Sequence, residues 1–325
     1  MTPDRRVLEG LEWKPAWISH MGCHHGCIDY LGLGISRAWI FGGTGHAFAV
    51  NVHEELCPSG PTAWNTDQVD HLAANIGYLV EGVTGHVSQR DFEARQKIAW
   101  ALVTGCIDSE VPCYGWDLVI PEWYVITGYD DEGYYFSGPG ADEATMPLAA
   151  DQISRTEIGW LAVKCVVPCH PAPDEEIVAA AVEFALEHAE GKHAHEGYVS
   201  GPAAFELWAT ALETGRANRF GAGYNGECWR ECRQMAVEFL REARGRLARE
   251  EALFDDAVEH YSAVAGALDR VVERVPFRRH DEGAEEDTLQ DGEAAAFVRE
   301  AGAAEERALA ALRKLNAVMH EAGAN

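Results

Sequence analysis

The chain has 325 residues, 47% of them hydrophobic, and carries 53 acidic against 26 basic side chains, for a formal charge of −27. Length and apolar content suffice for two domains with buried cores, whereas the charge excludes a phosphate backbone or an anionic membrane as natural partner and favours cationic ligands. No run approaches the roughly 18 apolar residues of a membrane span, the start MTPDRRVLEGLEWKP lacks the apolar core of a secretory signal, and the nine scattered cysteines read as thiols, so a cytoplasmic protein is expected.

In chain order, Ser19 is placed to cap a helix running to about residue 31, with Met21, His24, Ile28 and Leu31 at helical spacing and GLG ending it. Two thiols, Cys23 and Cys27, ride this helix in the run CHHGC. Ser36 can cap a short second helix, the following glycines turn the chain, and His46, Phe48, Val50 and Val52 alternate as one face of a strand. Amphipathic helices are predicted near residues 66–78 and 91–104.

The period then changes. EVPCYGWDL, EWYVITGYD, GYYFSG and IGWLAVKCVV read as four strands, implying an antiparallel sheet packed by helices. Glu122 leads the strand face shared with Tyr124 and Ile126, opposite Trp123, Val125 and Thr127, and Asp130 and Asp131 form the hairpin tip.

A boundary is expected at the proline-rich VVPCHPAPDEE, with Asp174 capping the next helix. Beyond it nearly every segment has helical period. Ile177, Ala180, Ala181, Phe184 and Ala185 line one stripe, and Phe205, Trp208 and Leu212 line another. Trp229, Cys232, Met235, Ala236, Phe239 and Leu240 form a third, and Phe254, Ala257, Tyr261, Val264, Leu268 and Val271 a fourth. Cys228 and Cys232 fall on an apolar stripe and read as core; His193 and His195 follow a helix end. HDEGAEEDTLQDGE reads as a mobile acidic loop, and an Ala/Glu-rich helix closes the chain.

The order of an early thiol-bearing helix and later antiparallel strands resembles papain-like cysteine enzymes. It is similar to bacteriocin-processing peptidase domains and, more closely, to the N-terminal domain of the butirosin biosynthesis protein H acyltransferase family. The residues that carry the likeness are YLGLGISRAWIFGGTGHAF, and VPCYGWDL followed by VITGYDDEGYYFSGPG. The resemblance covers roughly residues 14–168 and implies a papain-like N-terminal domain over residues 1–168, helices packed on an antiparallel sheet; with the all-α helical bundle that the stripes imply over residues 169–325, the expected class is α+β.

Such folds set a thiol at a helix N-terminus against an imidazole from a strand, oriented by a third polar group. This sequence departs from that pattern. Glu122 stands at the strand head where the peptidase group has histidine, Gly138-Pro139 where it has an aspartate, and the nucleophile's place falls near Ser19-His20-Met21. Cys23 is the preferred nucleophile, one turn into the helix, with His46 or Glu122 handling protons; Cys27, His20 and Tyr124 are the alternatives. Each also has a bland reading, as buried thiol, core histidine or structural carboxylate.

The leading expectation is a thiol-dependent acyltransferase or amidohydrolase acting on a small amine-bearing metabolite. The family likeness adds an acyl carrier protein as thioester donor. A second expectation is a catalytically lapsed papain-like domain that binds a ligand or partner; a third is a metal-binding protein using the Cys23–Cys27 cluster. No cofactor is called for, and the helical spacing, which turns His25 away from the two thiols, argues against a metal set in CHHGC.

Overall fold

The computed structural model describes residues 5–278 and 287–323, with side chains described as far as residue 320. Its helices are α1 Ser19–Tyr30, α2 Arg37–Gly43, α3 Asp67–Ala73, α4 Phe92–Asp108, α5 Asp174–Ala189, α6 Pro202–Thr214, α7 Arg219–Leu247, α8 Glu251–Arg274 and α9 Gly292–Gly323. The strands are β1 Arg6–Val7, β2 Asn51–His53, β3 Tyr78–His86, β4 Cys113–Trp116, β5 Trp123–Asp130, β6 Gly133–Ser137, β7 Trp160–Pro168, β8 Tyr198–Ser200, β9 Ala217–Asn218 and β10 Thr288–Leu289. The chain is α+β with an antiparallel sheet, and among the described residues no helix is long and apolar enough to cross a membrane.

Two compact units form, and neither is continuous in sequence. The first combines Met1–Ser36 with Gly77–Pro171, the second Arg37–Ile76 with Ala172–Asn325. The expected boundary at 168 lies three residues from the last crossing at Pro171, but residues 37–76 group with the helical half.

In the first unit six strands pair antiparallel in the order β1-β5-β4-β7-β3, with β6 also on β5. β4 is buried at every residue and β5 over its first four, so both faces of this pair are covered, and their cross-strand pairs include Trp116 with Trp123 and Tyr114 with Val125. The four predicted strands are present. A further strand, β3, not predicted from the sequence, pairs with β7 over nine residues, and the helix predicted to reach residue 78 ends at Ala73. Asp130 ends β5 opposite Gly133, and its carboxylate holds the Asp131–Glu132 tip by accepting the backbone N–H groups of Glu132 at 2.8 Å and Gly133 at 3.3 Å.

Helix α1 is buried almost all round, which explains its composition. Gly22 and Gly26, one turn apart, let the segment 12–14 run directly against the helix; a Cβ at either would collide with the Trp13 indole or the Glu12 carbonyl. Trp13 Nε1 donates to the Ser19 carbonyl at 3.1 Å, and Lys14 N to the Gly22 carbonyl at 3.2 Å. The remaining faces carry the pair Cys23 and Cys27 and the pair His20 and His24, each at the four-residue spacing that aligns side chains.

In the second unit α7, α8, α9 and α6 pack as a bundle with α5. The stripes on α5, α6, α7 and α8 are buried largely as predicted, and Cys228 and Cys232 are core residues. Two expectations change here. Gly42 and Gly43 lie inside α2 rather than turning the chain: the bare backbone at Gly42 is what admits the Phe239 ring. His46–Phe48 is a 3-10 turn, with strand only at Asn51–His53, because the chain here bonds to side chains in place of a long partner strand. Arg233 donates to the carbonyls of Ala47 at 3.1 Å and Ala49 at 2.7 Å, and His188 Nε2 lies 3.0 Å from the Val50 carbonyl. Asp174 is the first residue of α5, not its cap, and pairs with Arg246 at 3.2 Å. Residues 279–286 of the predicted acidic loop lie outside the described residues; just after them, β10 pairs with β9.

Candidate functional site

The hairpin loop between β4 and β5 delivers Glu122. Its backbone closes on itself, Asp117 N donating to the Glu122 carbonyl at 2.8 Å and Glu122 N to the Ile120 carbonyl at 2.6 Å. Asp117 sits in the left-handed region, φ 62°, which an Asx side chain tolerates better than most, and the Thr156 hydroxyl donates to its carboxylate. A fixed loop therefore sets a half-buried carboxylate at the head of β5.

That carboxylate meets the start of α1. The Ser19 hydroxyl donates to Glu122 Oε2, and its oxygen accepts the Trp123 backbone N–H at 3.0 Å. Ser19 is the first helical residue and Ile18 the cap, so the expected capping role is replaced by a clasp between helix and strand. Ser19 is only 3% exposed, and its hydroxyl is donor and acceptor at once.

Cys23, one turn on, is wholly buried. Burial pushes its thiol well above the ordinary value, and the neighbouring Cys27 and Glu122 push the same way. Cys27 is shifted upward likewise, by burial and then by Cys113 and Cys165. A thiol beside a carboxylate in a closed core stays protonated, the reverse of what a cysteine nucleophile needs.

Tyr124 belongs to the same neighbourhood. Its hydroxyl accepts the Ile120 N–H at 3.1 Å and donates to the Pro139 carbonyl at 2.7 Å, while its ring packs where a Gly138 side chain would stand. Burial, followed by Glu122 among nearby charges, raises the phenol beyond physiological titration. Where the resemblance implies a third polar group, this chain supplies a backbone carbonyl already in use.

His46 belongs to the other compact unit. Its ring lies 5.4 Å from Trp64 and 6.3 Å from Phe41, and Nδ1 is 3.7 Å from Cys232 Sγ, all within that unit. Burial lowers its pKa to about 4, so it is a neutral core histidine at physiological pH. Nearby, His188 is lowered by burial to about 3, and His193 stacks on Phe184 with ring centroids 5.1 Å apart.

His20, an alternative from the sequence, belongs to a different cluster. Its ring stacks on Trp123 with centroids 4.4 Å apart, and its Nε2 faces His24 Nε2 at 3.1 Å and the Tyr114 hydroxyl at 3.2 Å. His24 Nε2 is 3.0 Å from the same hydroxyl, and His24 Nδ1 is 2.9 Å from Tyr78 Oη. The spacing of four between the histidines was visible in the sequence; the tyrosines from β3 and β4 were not.

Cys23, Glu122 and Tyr124 are thus brought together, with Ser19 added. Among the described residues, neither Cys23 nor Cys27 belongs to a group of three His, Cys, Asp or Glu side chains close enough to share one ion. No protein-family model matches the chain, and no curated protein does.

Proposed function

We infer that the first unit is a papain-like domain whose nucleophile and base have lapsed, and that the protein binds a ligand rather than turning one over. The observation that carries this is the Ser19–Glu122 clasp. At the helix start, where the fold's nucleophile belongs, a hydroxyl donates to a carboxylate and is covered by the Trp123 N–H. The nearest thiol is sealed and held protonated by burial. The ligand class that suits this chain is a small cationic or amine-bearing molecule, because the −27 charge concentrates cations and repels phosphates. A cytoplasmic setting agrees with the thiol-rich composition.

One observation favours a second reading. A serine whose proton already bonds to a carboxylate is the ground state of a serine nucleophile with a glutamate base, so Ser19 and Glu122 would replace thiol and imidazole in an acyl transfer. Native-state treatment with a fluorophosphonate and, separately, with iodoacetamide at neutral pH decides between them. The binding reading expects no adduct on Ser19 or Cys23. A stoichiometric Ser19 adduct that Glu122→Gln removes would establish the enzyme.

A further inference from the structure

We propose that His20, His24 and Tyr114 form a binding site for one divalent first-row transition-metal ion in the first unit. The three donor atoms, His20 Nε2, His24 Nε2 and Tyr114 Oη, make a triangle with sides of 3.1, 3.0 and 3.2 Å. Donors held about 2.0–2.1 Å from zinc stand roughly 3.3 Å apart in a tetrahedron, so expansion by a few tenths of an ångström converts the triangle into three corners of a coordination sphere. Both histidines are at most 2% exposed, and both come from one helix face at the four-residue spacing that lets two imidazoles share an ion.

The surroundings orient the donors. Tyr78 Oη, 2.9 Å from His24 Nδ1, fixes which nitrogen of that ring faces the triangle, as the outer partners of metal-bound histidines do. The Trp123 indole, stacked on His20 with an interplanar angle of 19°, holds the second ring. Tyr114 is fully buried on β4, so its oxygen is presented by a rigid strand.

The donor chemistry sets the ligand class. Two imidazole nitrogens and one phenolic oxygen are borderline donors, which suit zinc, cobalt, nickel or copper and leave magnesium and calcium, seekers of carboxylate and carbonyl oxygen, behind. On binding, the Tyr114 phenolic proton leaves to solvent and the phenolate oxygen takes its place on the ion. This site goes beyond the binding reading above and does not depend on it: an active Ser19 would refute that reading and leave the metal site standing.

The test is titration of the metal-free full chain with zinc chloride by calorimetry, and with cobalt(II) chloride by visible absorption. One ion per chain is expected, with the visible bands of low-coordinate cobalt. His20→Asn and His24→Asn should each weaken zinc binding by more than about 100-fold, and Tyr78→Phe, which touches only the outer partner, by about 10-fold to 100-fold. Tyr114→Phe, which keeps the ring and removes the oxygen, should weaken binding and abolish proton release. Cys23→Ser and Cys27→Ser should change nothing. Absence of a stoichiometric zinc site in the wild type would overturn the proposal. So would equal affinity in His24→Asn, because that would place the ion on the acidic surface.

Discussion

The Ser19 hydroxyl joins the first turn of α1 to Glu122 at the head of β5, two elements separated by about a hundred residues of chain. Its oxygen also satisfies the buried Trp123 N–H. Ser19→Ala strands that N–H and leaves Glu122 without a donor from Ser19. Leaving a buried group unsatisfied costs about 1–3 kcal/mol, and equilibrium urea unfolding should register a loss of that size. Ser19→Thr, which restores a hydroxyl, should recover part of it.

Thiol reactivity should follow environment rather than nearness to a helix N-terminus. Cys57 and Cys169 are partly exposed, whereas Cys23 and Cys27 are buried and shifted upward. Timed alkylation at neutral pH with peptide mapping should label the first group and leave Cys23 and Cys27 until the chain unfolds.

The second unit should lose stability in mild acid. His46 and His188 have folded pKa values lowered by burial to about 4 and about 3, below the ordinary 6.5. Between the ordinary value and those folded values the unfolded chain binds more protons, so stability is full above pH 6.5 and falls as the pH drops through that window. Each histidine contributes a slope of up to about 1.4 kcal/mol per pH unit. Unfolding midpoints measured from pH 7.5 to 4.5 should show the decline, and His46→Gln should flatten it.

Arg233 and Glu305 form a two-pronged ion pair, with both nitrogen–oxygen distances 2.8 Å and both side chains buried in the bundle. Removing one member of such a pair leaves an uncompensated charge in the core, at a cost of about 3–5 kcal/mol. Glu305→Gln should therefore lower the unfolding free energy by that order. It should also loosen the 47–49 segment that Arg233 holds through two carbonyls, visible as faster amide exchange there.

Most of the architecture was legible where one local pattern suffices. The aromatic and β-branched runs of β4 to β7, bounded by turn residues, and the apolar stripes of α5 to α8 extend over enough positions to fix the type of each element. What failed was non-local. Residues 46–52 alternate like a strand, yet Arg233 and His188, far along the chain, satisfy that backbone and hold most of it in a turn. Residues 37–76 join the helical half for the same reason, since α2 and the 46–52 segment bury against helices that follow residue 172. At the site, Glu122 was readable as a carboxylate in a special place. Its partner was not, because Ser19 fits a helix cap so well that a hydroxyl turned to a strand a hundred residues away leaves no mark in the local sequence.

Under the proposed function Ser19 and Glu122 clasp helix to strand and do no covalent chemistry. Intact-mass spectrometry and peptide mapping of the native full chain after incubation with a fluorophosphonate decide the matter. Unchanged mass in both wild type and Glu122→Gln is the predicted result. A single adduct per chain on Ser19, present in the wild type and missing in Glu122→Gln, would contradict it.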